Sequence, residues 1–337
     1  MLEFRKSAVP ARPESSRAKF LGAVALSLCA AAGAEAAQGR PGSLADLAPL
    51  SIAPFLGDPP PPPAAETREA AQSEPAAAGI RDNSFFIEEA YNQEAGVVQH
   101  ISNAVMAWDD EHGVETVSFD FVFTQEWPLG SQAHQFSYTV PLSWFESEPD
   151  AGPREREGGI GDVLLNYRYQ VADGSRSGFA FSPRFSAVLP TGDEDKGFGL
   201  GEFGFQLNLP ASFECGSFAF HANAGVTAFD DVTAELPGGG TSPGRSLASY
   251  NVGASAIYVE SPVVQPMLEA FAIFDEEIDG DGEVADLTRI VVSPGVRFAP
   301  YTSGASQVVV GAAVPIGLSD DASDFGLFLY FSIEHPF

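Results

Sequence analysis

Asp162-Val163-Leu164-Leu165-Asn166-Tyr167-Arg168-Tyr169-Gln170-Val171 is the stretch that decides the fold. Val163, Leu165, Tyr167, Tyr169 and Val171 share one face, and Asp162, Asn166, Arg168 and Gln170 share the other. A period of two is the signature of an extended strand with two unlike sides. The pattern recurs in both directions. Phe179, Phe181, Phe185, Ala187 and Leu189 oppose Ala180, Ser182, Arg184 and Ser186, and Phe203, Phe205, Leu207 and Leu209 oppose Glu202, Gly204, Gln206 and Asn208. Upstream, Phe136, Tyr138, Val140, Leu142 and Trp144 oppose Gln135, Ser137, Thr139 and Ser143.

Continued along the chain, this alternation predicts twelve strands: 97–108, 115–127, 133–145, 160–172, 178–190, 200–213, 217–229, 246–260, 263–274, 287–300, 306–316 and 325–337. Soluble sandwiches alternate too, so three further features choose between water and lipid. Sandwich strands usually run about five or six residues, whereas a tilted membrane strand needs roughly nine to eleven, and these are long. The connectors alternate between short and long, as periplasmic turns and outer loops do. Charge follows the same parity: the six long connectors together carry −20 and the five short ones −1. A sandwich has no reason to sort charge by loop parity. The expected fold is all-β, a closed antiparallel transmembrane β-barrel of about twelve strands with a disordered N-terminal arm.

Composition agrees. Among 337 residues there are 27 Phe against 3 Met, with 34 Gly and 26 Pro, which suits aromatic strands punctuated by tight turns. The net charge of −29 leaves no basic face for phosphates, so nucleic acid is excluded as a partner.

The N-terminus carries Arg5, Lys6, Arg12, Arg17 and Lys19, then an apolar run from Phe20 to Ala32 and Ala34-Glu35-Ala36. That order predicts a secretory signal over 1–36 and export from a Gram-negative cytoplasm to the outer membrane. The competing reading of Cys29 as a lipidated residue meets Leu28, where a small residue is expected. Residues 37–82 are rich in Ala, Pro, Glu and Ser and read as a disordered periplasmic linker, and 83–337 as the barrel with a short pre-barrel segment. Cys215 then has no intramolecular partner.

Two groups of motifs resemble one family. The pre-barrel run Asn83-Ser84-Phe85-Phe86-Ile87-Glu88-Glu89-Ala90-Tyr91-Asn92-Gln93-Glu94-Ala95-Gly96-Val97 is the most specific. Gly161-Asp162-Val163, Asn166-Tyr167-Arg168-Tyr169 and Leu189-Pro190-Thr191-Gly192 join it. The chain from about 83 to 337 resembles the outer-membrane proteins grouped with the meta-pathway phenol-degradation protein. That resemblance implies a channel or transporter for hydrophobic or aromatic compounds.

Candidate functional residues follow from the faces. Arg168, Arg184, Glu202, His221 and Arg297 fall on polar faces and are expected in the lumen, along a substrate path. Glu88, Glu89, Tyr91, Asn92 and Glu94 form either a plug that bonds Arg168 or Arg184, or an exposed periplasmic helix. Asp275, Glu277, Asp279 and Asp286, with Gly280, have spacing close to a calcium loop, although strands and not helices flank them. His100 and Ser102 have the spacing of a lipid-modifying barrel enzyme, without an orienting group or oxyanion site in view. Phe331, Ile333 and Phe337 resemble the terminal signal read by the barrel-assembly machinery, with His335 standing where an aromatic is usual.

No phosphate loop or energy-coupling motif stands in the sequence, so no cofactor is expected and passage would be passive. The partners expected are outer-membrane lipid, the assembly machinery and small hydrophobic molecules. A non-conducting structural or adhesive barrel, or a lipid-modifying enzyme, is the alternative.

Overall fold

Hydrocarbon cannot bond a peptide group, so a sheet in a bilayer has to close on itself. The structure, a computed structural model, describes residue 80 and residues 83–111, 114–149, 154–175, 177–236 and 239–337. Apart from Ile80, the signal and linker readings for 1–36 and 37–82 lie outside the described residues. Within the described residues the sheet closes. Seventeen antiparallel segments make one sheet, and its first strand pairs with both the second and the last.

The segments assemble into twelve staves. Eight are single strands: β1 (Val97–Glu111), β2 (Val114–Leu129), β3 (Ser131–Pro149), β11 (Phe218–Val232), β12 (Arg245–Tyr258), β13 (Val264–Ile278), β14 (Val284–Ser303) and β17 (Phe325–Pro336). The fourth stave is β4 (Glu155–Ile160), β5 (Val163–Tyr169) and β6 (Ala172–Asp173) in sequence. The fifth joins β7 (Phe179–Phe181) to β8 (Arg184–Leu189), and the sixth joins β9 (Gly204–Asn208) to β10 (Ala211–Cys215). The eleventh joins β15 (Ser306–Ala313) to β16 (Ile316–Gly317).

Three of the interruptions have one cause. Pro183, Pro210 and Pro315 stand at the breaks in the fifth, sixth and eleventh staves, where a ring nitrogen has no proton for the ladder. Neighbouring amides keep the wall sewn: Ser182 N donates to Pro210 O at 3.1 Å and Val314 N to Pro294 O at 3.0 Å. β1 and β17 close the seam over a continuous register from Val97 opposite Pro336 to Trp108 opposite Phe325. Both chain ends of the barrel therefore lie at one rim, which in an outer-membrane barrel is the periplasmic one. Five turns join staves at this rim, Gly130, Gly174, Gly178, Gly216 and Gly304 among their residues taking positive φ.

The faces sort as alternation requires. Leu165, Tyr167, Phe185, Phe205, Leu207, Phe298, Leu327, Leu329 and Phe331 point out and are exposed, as lipid-facing side chains are. The inward face is less polar than expected, because Ile101, Met267, Phe271, Phe328 and Tyr330 line it and join one apolar cluster. Strands also run longer than the bilayer demands. The 20 residues of β14 exceed the roughly nine to eleven needed to cross, so its outer hairpin rises above the membrane.

Leu329, mid-strand in β17 and 49% exposed, tests the lipid face. Leu329→Arg should cost about 2–4 kcal/mol in reversible unfolding from lipid, whereas Leu318→Arg in the outer loop before β17 should cost little. Equal costs would place Leu329 in water.

Candidate functional site: an occluded lumen

The lumen is filled by the chain's own pre-barrel segment. Residues 83–93 have no regular secondary structure, so their amides need partners from the wall, and a bond-by-bond path around the interior supplies them. Gln93 N donates to Gln135 Oε1 at 2.6 Å and Asn92 N to Gln170 Oε1 at 2.8 Å. Ala90 N donates to Ser212 Oγ at 2.8 Å, and Ala90 O accepts from Ser182 Oγ at 3.0 Å. Asn83 O accepts from Arg297 Nη1 at 2.9 Å.

The tightest anchor is Glu269 on β13. Its carboxylate accepts from three successive amides, Phe85 at 3.1 Å, Phe86 at 3.0 Å and Ile87 at 3.1 Å. Ser84 Oγ adds a fourth bond at 2.8 Å and lies 2.7 Å from Ser255 Oγ. Bonds to a charged acceptor are the strong kind, at roughly 1.5–3 kcal/mol each, and a buried carboxylate without them would be costly.

A second anchor is ionic. Glu88 Oε1 lies 2.9 Å from Arg184 Nε and 3.2 Å from Arg168 Nη2, and Glu88 Oε2 accepts from Asn208 Nδ2 at 2.6 Å. Burial pushes the Glu88 pKa up, but Arg184 and then Arg168 outweigh it and hold the carboxyl below its usual range. Arg168 also donates to Tyr91 O at 3.1 Å and to Glu89 O. Arg184 is fixed on its far side by Asn166 Oδ1 and Gln206 Oε1, each at 3.0 Å.

Beside these polar anchors sits an aromatic one. Phe85 packs 5.0 Å from Phe328 and 5.3 Å from Tyr330, and Phe86 packs 4.6 Å from Phe328 and 5.0 Å from Phe271, centroid to centroid. Gly311 makes the seat: a Cβ there would come within 2.2 Å of Phe85 Cζ. A small cavity of about 80 Å³ remains, lined by Phe85, Ile87, Ile101, Asn103, Arg184 and Tyr330 among others.

Toward the opposite end a loop is held against the wall. Asp162 accepts from Gly192 N at 2.9 Å and Leu200 N at 3.2 Å, while Thr191 Oγ1 donates to Gly161 O at 2.9 Å. The loop so held tucks Phe198, 3% exposed, 6.2 Å from the inward ring of Phe145. Gly161-Asp162-Val163 and Leu189-Pro190-Thr191-Gly192 are thus two halves of one clasp. Gly192 has no room for a side chain, since a Cβ would meet Phe198 O at 2.2 Å.

Of the residues expected in the lumen, Arg168, Arg184, His221 and Arg297 are buried inside, His221 Nδ1 lying 2.8 Å from Ser212 Oγ. Glu202 differs. It lies half-buried in a bend beside Gly201 (φ 72°), two residues ahead of the start of β9. In the pre-barrel segment Glu88, Glu89, Tyr91 and Asn92 enter the bonded path, while Glu94 is exposed and its carbonyl accepts from Val97 N at 3.0 Å. The exposed-helix alternative is overturned, since the segment is non-helical and lies within the barrel.

The calcium reading fails on geometry. Asp275 is buried and paired with Arg289 at 2.5 Å, Asp286 lies on β14, and Asp279 accepts from Asp281 N and Glu283 N in a hairpin turn. Among the described residues no three His, Cys, Asp or Glu side chains converge for a metal. His100 and Ser102 alternate with the inward Ile101 and lie on the outer face of the wall, and His100 bonds to His335, so they are no lumen dyad. Glu269 was not singled out in the sequence. Its signal is a lone acid between Leu268 and Ala270, in register with the polar Gln265.

These features define a class: a closed antiparallel β-barrel of the outer-membrane type, filled by its own pre-barrel segment. The family follows. Residues 93–259 match the family described as "Putative MetA-pathway of phenol degradation", which bears out the resemblance carried by the motifs. The fold is that of the COG4313 outer membrane channel from Pseudomonas putida F1, at 12% identity and TM-score 0.58 over 73% of this chain and 98% of that one. The translocator domain of the autotransporter NalP from Neisseria meningitidis aligns at 10% identity and TM-score 0.46, over 73% and 90% of the two chains. No curated protein matches the sequence.

Two variants test the plug's anchors. In a Cys29→Ser, Cys215→Ser background, a cysteine substituted for Ile87 (1% exposed) should react slowly with a charged thiol reagent. Adding Glu269→Ala or Gly311→Val should speed that reaction at least about tenfold, the equivalent of about 1.4 kcal/mol lost from the closed state. Unchanged rates would show that neither residue holds the segment.

Proposed function

We propose that the chain is a passive outer-membrane channel for small hydrophobic or aromatic compounds, held closed at rest by residues 83–93. The observation that carries this reading is the mixed lining. Phe271, Phe328, Tyr330 and Ile101 offer an apolar track along one side of the lumen, and Arg168, Arg184 and Asn208 offer a polar track along the other. An apolar molecule can exchange places with Phe85 and Phe86 on the apolar track at little cost in buried area. The polar anchors then decide how readily the segment yields.

Charge adds selectivity among small ions. The six outer connectors carry −20 in all, and among their described acids only Asp275 is buried, paired with Arg289, so the outer rim concentrates cations and repels anions, more weakly as salt rises.

Planar-bilayer recording tests the reading. Deleting residues 83–95 should raise single-channel conductance several-fold over the full chain, and reversal potentials should favour cations. The deleted form should also speed entry of a labelled phenol into liposomes. Equal, near-zero conductance in both forms would favour a non-conducting structural barrel, and anion preference would contradict the charge argument.

A further inference from the structure

The channel reading leaves two histidines at the closing seam without a role. His100 on β1 alternates with the inward Gln99 and Ile101, and His335 follows Phe331 and Ile333 on the outward face of β17. In register His100 stands opposite Ile333 and His335 opposite Val98, which makes the rings diagonal neighbours across the seam. Their centroids are 5.2 Å apart with planes inclined by 21°, and Nε2 lies 3.2 Å from Nε2. The Phe123 ring backs His100 at 6.3 Å. Both rings are partly exposed, and the ladder ends at Val97 and Pro336, so water at the rim reaches them.

Their partners fix the proton positions. His335 Nδ1 lies 2.9 Å from Pro336 O, a carbonyl that can only accept, so Nδ1 carries the proton and Nε2 presents a lone pair. His100 Nε2 therefore donates across the seam. Two imidazole nitrogens on one tetrahedral ion, each bonded at about 2.0–2.1 Å, stand about 3.3–3.4 Å apart. The 3.2 Å here is within a small relaxation of that spacing. If His100 moves its proton from Nε2 to Nδ1, both Nε2 lone pairs are free to bind one ion at this spacing, with no net proton change.

We propose that His100 and His335 chelate a transition-metal dication, of which Zn²⁺ is the type, on the outer face of the seam. Imidazole suits Zn²⁺, Cu²⁺ and Ni²⁺, whereas Mg²⁺ and Ca²⁺ prefer oxygen ligands. Two protein ligands leave the remaining positions to water, so the ion is exchangeable and not a closed structural centre. The site joins the first strand to the last across 235 residues of sequence. A metal that binds only the closed barrel resists opening at the seam by mass action.

The test uses the full chain folded in detergent micelles, stripped with a chelator and then titrated with Zn²⁺ alone, or Mg²⁺ alone. Zn²⁺ should raise the apparent Tm saturably in the parent, His100→Gln and His335→Phe should each abolish the shift, and Mg²⁺ should leave the parent unmoved. No Zn²⁺ shift in the parent would overturn the proposal, as would an equal shift in both variants. Should either variant fail to fold, the Cu²⁺ electron-spin spectrum of the parent decides. Coupling to two equivalent nitrogens supports the chelate, and coupling to one or none refutes it.

Discussion

A peptide group that faces hydrocarbon has nothing to bond, and that constraint organises this molecule from wall to interior. It forces the seam between β1 and β17, sets the outward residues to aliphatic and aromatic types, and puts irregular backbone inside the barrel. The proline interruptions show how far it bends. Pro183, Pro210 and Pro315 each remove a donor, yet the flanking amides still find carbonyls on neighbouring staves.

The same constraint governs the interior. Residues 83–93 form neither helix nor strand, so their amides would be orphaned without wall side chains. Glu269, Gln135, Gln170 and Ser212 act as their acceptors. What looks like a polar pore lining is therefore in large part a bonded template for one segment. Phe85 and Phe86 complete it by burying aromatic area against Phe271, Phe328 and Tyr330. Bonded anchors on one side and apolar contacts on the other give the segment a well-defined seat that a modest change in contacts can empty.

The wall was legible because its signal repeats with period two and every stave votes for the same face. The parity of connector length and charge oriented it, and Arg168, Arg184, His221 and Arg297 were placed by alternation alone. Glu269 was harder to see, since one acid in the otherwise apolar run from Pro266 to Phe274 carries no periodicity and its partners are backbone amides 182 to 184 residues away. Glu202 lies ahead of the strand expected to carry it, because the chain bends at Gly201 and Glu202 and the ladder begins only at Gly204, an event that alternation does not register. The apolar inner face of β17 escaped for a related reason. Phe328 and Tyr330 alternate with Leu327, Leu329 and Phe331, all of them apolar or aromatic, so hydropathy does not distinguish inside from outside there.

The central claim is that the pre-barrel segment sits in the lumen with Ser84 against Ser255. The two hydroxyl oxygens are 2.7 Å apart, near enough for a bridge between substituted cysteines after a small adjustment. The direct measurement is disulfide formation in Ser84→Cys, Ser255→Cys protein, with Cys29 and Cys215 replaced by Ser, read by mass spectrometry of the folded barrel. Near-complete cross-linking under mild oxidation, with none between Ser84→Cys and a cysteine substituted for the outward-facing Phe298, is the result expected. Two free thiols at positions 84 and 255 in a folded barrel would contradict the account.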